Sequence, residues 1–365
     1  MFDSFKEIFS DTPDNLGALA DNRTDKEKAK DIKFEEIVAK ADEVLWTEKS
    51  INQWRSFPVR NQYQSSSCVA QSMAKLLGIL RSLEDGVFID FSASYIYQKR
   101  INKDIGDGEG MVGVNAFDIV RQYGATLELL MPSQNLTEEQ IDLVPQKDYF
   151  EKVGKIIGGI ENYVQFTPKN SFETVASTIQ KTKKGVMVWF NFGSGEWWKP
   201  VPTMTAKDLT MAHSVVATDF TLYKGKKALV IEDSSGPQKG FVGGRRLVTE
   251  DFFKARNIFS AYPIGLKNLE EQKPNKPKYT FTRTLKFSEI YSVDGDVIKL
   301  QDILKYEGFF PTTIDSTGYY GALTAKHVLA FQKKYQVASP AELDSLEGKV
   351  VGPSTIAKLN QLYSN

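Results

Sequence analysis

The chain has 365 residues, with 46 basic and 46 acidic side chains and so zero formal net charge; 41% are hydrophobic, 25% charged and 12% aromatic. This is the composition of a soluble globular protein, long enough for two domains at roughly 150 residues each and for a core that needs no staples. Neutrality gives no general pull toward nucleic acid or an anionic membrane, one cysteine excludes an internal disulfide, and that cysteine with two histidines falls short of the four ligands of a structural zinc site.

The first 30 residues lack the basic start and apolar run of a secretory signal. No stretch reaches the roughly 18 apolar residues of a membrane span. Residues 1–44 read as an acidic arm or short propeptide. Within 1–40, ten acidic groups face seven basic ones and apolar residues are sparse before Phe34. The expectation is a loosely packed arm with a helix from about residue 25 to 44. Residues 45–266 have the composition of a folded core. Over 68–83, Val69, Met73, Leu76, Leu77 and Leu80 recur at helical spacing, and Ser65, Ser66 and Ser67 offer capping oxygens. Further helices are expected over 92–101, 114–123 and 170–183, and strands over 185–192, 213–223 and 227–232. Helices early and strands late predict an α+β fold.

Residues 267–283 contain Pro274, Pro277 and five basic residues among few apolar ones, the composition of a linker. Residues 284–365 form a second unit with three amphipathic stripes. These are Val297, Leu300, Ile303 and Leu304; then Leu323, Val328, Phe331 and Tyr335; then Ile356, Leu359 and Leu362. No internal repeat is visible.

Three residues suggest chemistry. Cys68, the only thiol, opens a helix, where free backbone N–H groups and the dipole favour a thiolate; the bland alternative is a small buried hydrophobe. His213, at the head of an apolar strand in MAHSVVATDF, is a base that can take a thiol proton and return it to a leaving group. Its alternative is a packed structural residue. Asp233 follows the strand ALVIE and is placed to orient an imidazole, or else to make an Asx turn before Gly236. His327 lies on an expected helix of the second unit and is left out of catalysis. In NFGSGEWWKP, two adjacent tryptophans cannot both face the core from a strand. One reading puts Trp197 on a substrate cleft near His213; the favoured one packs both in an aromatic flap.

Together these residues resemble the papain family of cysteine proteases, over about 45–266. The order Cys, His, orienting residue matches, as does the gap of 145 residues from Cys68 to His213. VRNQYQSSSCVAQS resembles the nucleophile segment, with Gln62 where that family places its oxyanion glutamine. The resemblance implies a two-part fold, one part helical and the other β-barrel-like, and a catalytic set of Cys68, His213, Asp233 and Gln62. It implies a substrate-binding edge at Gly110 and Met111, where only half of the family's glycine pair is present. Asp233 stands where the family has Asn. Ser235 stands in place of the aromatic that shields the Asn–His hydrogen bond, so a wetter bond is expected. Val69 replaces the aromatic after the cysteine.

Residues 284–365 resemble the small helical peptidoglycan-binding domain of cell-wall enzymes, in DGDVIKLQDILKYEGFF, TGYYGALTAKHVLAFQKKYQV and GKVVGPSTIAKLNQL. The resemblance implies an all-α three-helix unit that holds peptidoglycan or a virion protein. The combined expectation is a cysteine endopeptidase that needs no cofactor or metal. Its substrate is a polypeptide or a peptidoglycan peptide, and it acts at the cell wall, carried in a phage particle or cytoplasmic before release. Its rivals are an inactive scaffold and a dedicated stem-peptide hydrolase, which normally lacks the glutamine at Gln62.

Overall fold

In a computed structural model the first elements in chain order are β1 (Ala18–Leu19), α1 (Asp25–Lys28), α2 (Phe34–Ile37), α3 (Cys68–Asp85), α4 (Ala93–Tyr97), β2 (Met111–Val112), α5 (Gly113–Tyr123), α6 (Glu138–Leu143) and α7 (Asp148–Ile157). There follow β3 (Tyr163–Gln165), α8 (Phe172–Thr182), β4 (Val186–Phe192), β5 (Met211–Tyr223), β6 (Lys226–Glu232), β7 (Arg245–Thr249), α9 (Glu250–Arg256) and β8 (Asn257–Pro263). The structure describes residues 17–37, 41–47, 57–104, 108–236, 244–267, 276–287, 295–310, 316 and 318–364. The chain divides into a first unit, Met1–Asp85 with Asp90–Leu266, and a second, Lys267–Asn365 with Gly86–Ile89.

The first unit is α+β, with most of its helices before β3 and its longer strands after it. Helix α3 is buried at every position from Cys68 to Arg81. It therefore passes through the unit, and its polar side chains are paired rather than solvated. Gln71 binds Arg60 and the Ser133 carbonyl, Lys75 meets Glu232 at 2.7 Å, and Ser72 Oγ accepts from Ser214 Oγ of β5 at 3.2 Å. Six of the strands form one antiparallel sheet in the order β3-β8-β4-β5-β6-β7, apart from the β1–β2 pair. β3 and β7 are its edges, so the barrel-like part is an open sheet and not a closed barrel. Val186, Val188, Phe190 and Phe192 of β4 pack against Val175, Ala176 and Ile179 of α8 and Phe252 and Phe253 of α9. Each such buried phenylalanine contributes roughly 1.5–3 kcal/mol.

The helix expected over 25–44 is not there. Among the described residues only α1, four residues closed by a Thr24–Glu27 capping box, and the short α2 form. Tertiary contacts win over helix propensity. Gln165 N–H of β3 donates to Ile32 O at 2.9 Å, Phe34 stacks on Phe166 at 5.1 Å, and Trp46 stacks on Phe172 at 5.7 Å. Arg23 bridges Asp21 and Asp31 at 3.0 and 2.6 Å. Residues 21–47, where described, are thus tied to the unit and not a loosely packed arm.

The second unit contains β9 (Leu285–Lys286), α10 (Asp296–Tyr306), α11 (Ala322–Lys334), α12 (Pro340–Leu346), β10 (Val350–Val351) and α13 (Pro353–Tyr363), with β9 antiparallel to β10. The three expected helices are α10, α11 and α13. The all-α three-helix expectation missed α12 and the strand pair. Ser339 caps α12 through the Glu342 N–H and Pro340 occupies its first turn, a start signal present in the sequence. An internal repeat is also present. Gln301 Nε2 donates to Tyr319 O and Thr324 Oγ1, and thirty-one residues on Gln332 Nε2 donates to Val350 O and Thr355 Oγ1. Polar buried residues carry that repeat, so apolar spacing does not reveal it. Of the expected linker, 268–275 lie outside the described residues. Phe281 is buried and its backbone pairs with the Asn360 amide at 2.7 Å in both directions, so this stretch belongs to the second unit.

Candidate active site

β5 and β6 are neighbours in the sheet, so His213 near the start of β5 lies beside Asp233 just past the end of β6. His213 Nε2 is 2.8 Å from Asp233 Oδ1, with both side chains 0% exposed. Burial pushes the Asp233 carboxyl up, but His213 and then Arg246 outweigh this and hold it well below the usual carboxylate range. An ionised carboxylate only accepts, so Nε2 must donate to it. In the neutral ring this leaves Nδ1 as the acceptor. Nδ1 is buried and makes no hydrogen bond among the described residues.

Four further donors fix Asp233. The Ser235 N–H and Oγ–H reach Oδ1 at 2.9 and 2.7 Å, and Trp197 Nε1–H and Arg246 Nε–H reach Oδ2 at 2.8 and 2.5 Å. The bond to His213 is therefore not wetter for having Ser235 at that position. Trp197, from another loop, takes the shielding place. Its ring meets His213 edge-on at 5.8 Å and packs with Phe190, Phe192 and Phe252. Trp197 is fully buried, which corrects its assignment to the substrate cleft in favour of the packed reading. Glu196 anchors this loop through the Gly193, Thr205 and Ala206 N–H groups and Arg256. Burial raises its carboxyl, but Arg256 and these amides bring it down to about 2.

Cys68 heads α3 and is 0% exposed. Burial pushes its thiol up to about 12, the amides of Ser214 and Val69 draw it down, and Asp233 raises it. The sulfur thus sits beside the residue after His213. Burial therefore opposes the thiolate that a helix start alone favours. Gln62 is buried and locked to both sides of the site. Its N–H donates to Ser234 O at 2.8 Å, its Oε1 accepts from Ser234 Oγ at 2.7 Å, and its Nε2 donates to Ser65 O at 2.8 Å. The loop before α3 is thereby joined to the loop that carries Asp233.

The edge expected to bind substrate is filled by the chain itself. β1 pairs in parallel with β2, Ala18 opposite Met111 and Leu19 opposite Val112, and Met111 N–H donates to Gly17 O at 2.7 Å. β1 also runs beside β5, so the segment crosses from the helical part to the strand that carries His213. Gly17 and Gly110 both have positive φ, at 91° and 76°. A Cβ on Gly17 would lie 1.8 Å from the Ser66 carbonyl, and one on Gly110 would lie 2.7 Å from Gly17 O. Only glycines allow this approach.

Sequence reasoning did not single out Arg246, Ser214 or the shielding place of Trp197. Arg246 leaves one faint signal, a basic pair at the start of the short apolar run RRLVT.

Comparisons with known proteins bear on both units. Residues 293–339 match the family described as "Putative peptidoglycan binding domain". No curated protein matches the chain. Among solved structures, xylellain, a cysteine protease from Xylella fastidiosa, is 13% identical, with 69% of this chain and 96% of that one covered and a TM-score of 0.53. The procathepsin B S9 of Trypanosoma congolense is 13% identical over 68% and 87%, with a TM-score of 0.49. The bromelain protease of Ananas comosus, solved with the E64 inhibitor, is 16% identical over 59% and 97%, with a TM-score of 0.43. The likeness to xylellain shows that the first unit has a papain-like cysteine protease fold.

Proposed function

We infer that this chain, a papain-like fold followed by a peptidoglycan-binding-type unit, is a cysteine endopeptidase working through Cys68, His213 and Asp233. The observation that carries the reading is the buried His213–Asp233 pair at 2.8 Å, which leaves Nδ1 as the only acceptor of the ring, with Cys68 beside the Ser214 amide. In this reading His213 Nδ1 takes the Cys68 proton as the sulfur attacks a peptide carbonyl. The imidazolium then gives that proton to the leaving amine, and water releases the acyl group by the same route. Asp233 holds the tautomer throughout. The Cys68 N–H and the Gln62 amide serve the oxyanion, each donor worth on the order of 3 kcal/mol.

Substrate and setting follow from the second unit. Its family match supports delivery to a cell wall, where the bond cut lies in a wall-associated protein or in a peptidoglycan stem peptide; carriage in a phage particle is the setting we propose. Release of peptides from purified sacculi, compared with cleavage of a denatured protein, separates the two substrates, and detection of the chain in purified particles checks the setting. Hydrolysis of neither by wild type once residues 1–20 are removed would overturn the reading. Residues 17–19 act in this reading as a plug, since they occupy the edge a substrate strand needs. The burial of Cys68 and the covered edge also favour a second reading, a scaffold without activity; an epoxide adduct on Cys68 that requires His213 would exclude it.

A further inference from the structure

In the resembled family the residue that orients the histidine is a neutral amide, whereas here it is a carboxylate. A bare carboxylate 2.8 Å from the imidazole, in a site that excludes water, would hold the ring as imidazolium permanently and oppose a thiolate on Cys68. The structure supplies a counter-charge. Arg246 Nε lies 2.5 Å from Asp233 Oδ2, and both side chains are 0% exposed. The guanidinium is held in turn by Nη1 donating to Lys199 O at 2.9 Å and by the rings of Trp197 and Trp198 at 5.7 and 5.8 Å. The β6–β7 pairing puts Glu232 opposite Arg245, and those two form their own ion pair at 2.9 Å, with Lys75 on the other oxygen of Glu232. Alternation along the strands sends that cluster to one face and Asp233 with Arg246 to the other.

We propose that Arg246 is a positioning residue which neutralises Asp233 toward the site, so that the Asp233–Arg246 pair stands in for an uncharged amide. The imidazolium formed during reaction then has the Cys68 thiolate as its counter-ion. The proposal rests on the thiol-peptidase reading. The charged groups around Cys68 and His213 are Asp233 after β6 and Arg246 on β7. Glu109 and Glu138 hold Ser66 in front of α3, and the Lys75–Glu232–Arg245 cluster lies behind it.

The test is the pH midpoint for alkylation of Cys68 by iodoacetamide in the full chain, followed by mass, with near-UV circular dichroism to check folding. Arg246→Met leaves the site one charge more negative and raises the midpoint by about one pH unit or more. Asp233→Asn leaves it one charge more positive and lowers the midpoint. The double variant Asp233→Asn/Arg246→Met returns it toward wild type, and Arg246→Lys keeps the charge and stays near wild type even if Arg246→Met does not fold. A merely structural pair would move both single variants the same way or neither, and that overturns the proposal; so does a double variant no nearer to wild type than the singles. His213→Ala separates the two claims: a midpoint that ignores it sinks the peptidase reading, while the signs of the charge variants still decide the role of Arg246.

Discussion

The two sides of the cleft are prepared differently. On the sheet side, His213 and Asp233 are already in place, with Asp233 accepting from five donors. On the helix side, Cys68 is shut away from solvent, burial pushes its thiol up, and the edge beside it is covered by residues 17–19. A preorganised charge network costs nothing at the moment of reaction. On the proposed reading, a nucleophile that must be uncovered can be held in reserve, and both sides meet at Ser214, whose amide faces the sulfur one residue after the histidine.

The largest way to break this comparison is to remove one side. Cys68→Ala or His213→Ala should each lower peptide hydrolysis by about 10⁴-fold, and the pair together hardly further, because groups that act as a unit are not additive. Initial rates on one peptide substrate check this. Uncovering the helix side comes next. Deleting residues 1–20 should raise the labelling rate of Cys68 by about tenfold or more, equivalent to roughly 1.4 kcal/mol of arm binding. The cut stops there because residues 21–47 carry contacts such as the Phe34–Phe166 stack. Gly17→Val is the sharper variant, since its side chain collides with the Ser66 carbonyl and should release the segment in the full chain. Loosening the sheet side should cost less. Trp197→Phe keeps the ring but removes one hydrogen bond to a buried carboxylate, worth about 1–3 kcal/mol, read as a lower midpoint in urea and slower hydrolysis with KM little changed.

A pH dependence tests the loop that carries Trp197. The Glu196 carboxyl sits at about 2 when folded, against an ordinary 4.5. A depressed folded value contributes stability that is present above pH 4.5 and is lost as pH falls toward 2. Glu196→Gln should therefore flatten the acid-unfolding curve between those limits and leave its shape near neutral pH unchanged. A curve that stays parallel to wild type would remove Glu196 as the anchor.

What could be read in the sequence follows from how each feature is encoded. Long apolar runs announce themselves. The expectation of a helix over 68–83 meets α3 at Cys68–Asp85, and that of a strand over 213–223 meets β5 at Met211–Tyr223. The helix expected over 25–44 fails because Phe34 and Trp46 are drawn to aromatic partners more than 120 residues away along the chain. His213 and Asp233 stand out because a polar residue at the end of an apolar strand is conspicuous, and the structure brings them together. Arg246 does not stand out. Its meaning depends on strand register and on a loop that folds back with Trp197, and neither leaves a local trace. The occupation of Gly110 and Met111 by β1 was equally hidden, since nothing in ALADN reads as a strand. In the second unit the stripes on α10 were plain, whereas the repeat is written in Gln301 and Gln332, which apolar spacing ignores.

The most direct test of the central claim is labelling of Cys68 by an epoxide thiol inhibitor at neutral pH, resolved by mass, in the chain lacking residues 1–20, in the full chain, and in each with His213→Ala. Labelling should be fast in the shortened chain, slow in the full one, and not above background without His213. A cysteine that stays inert in the folded shortened chain, or that reacts equally without His213, would contradict it.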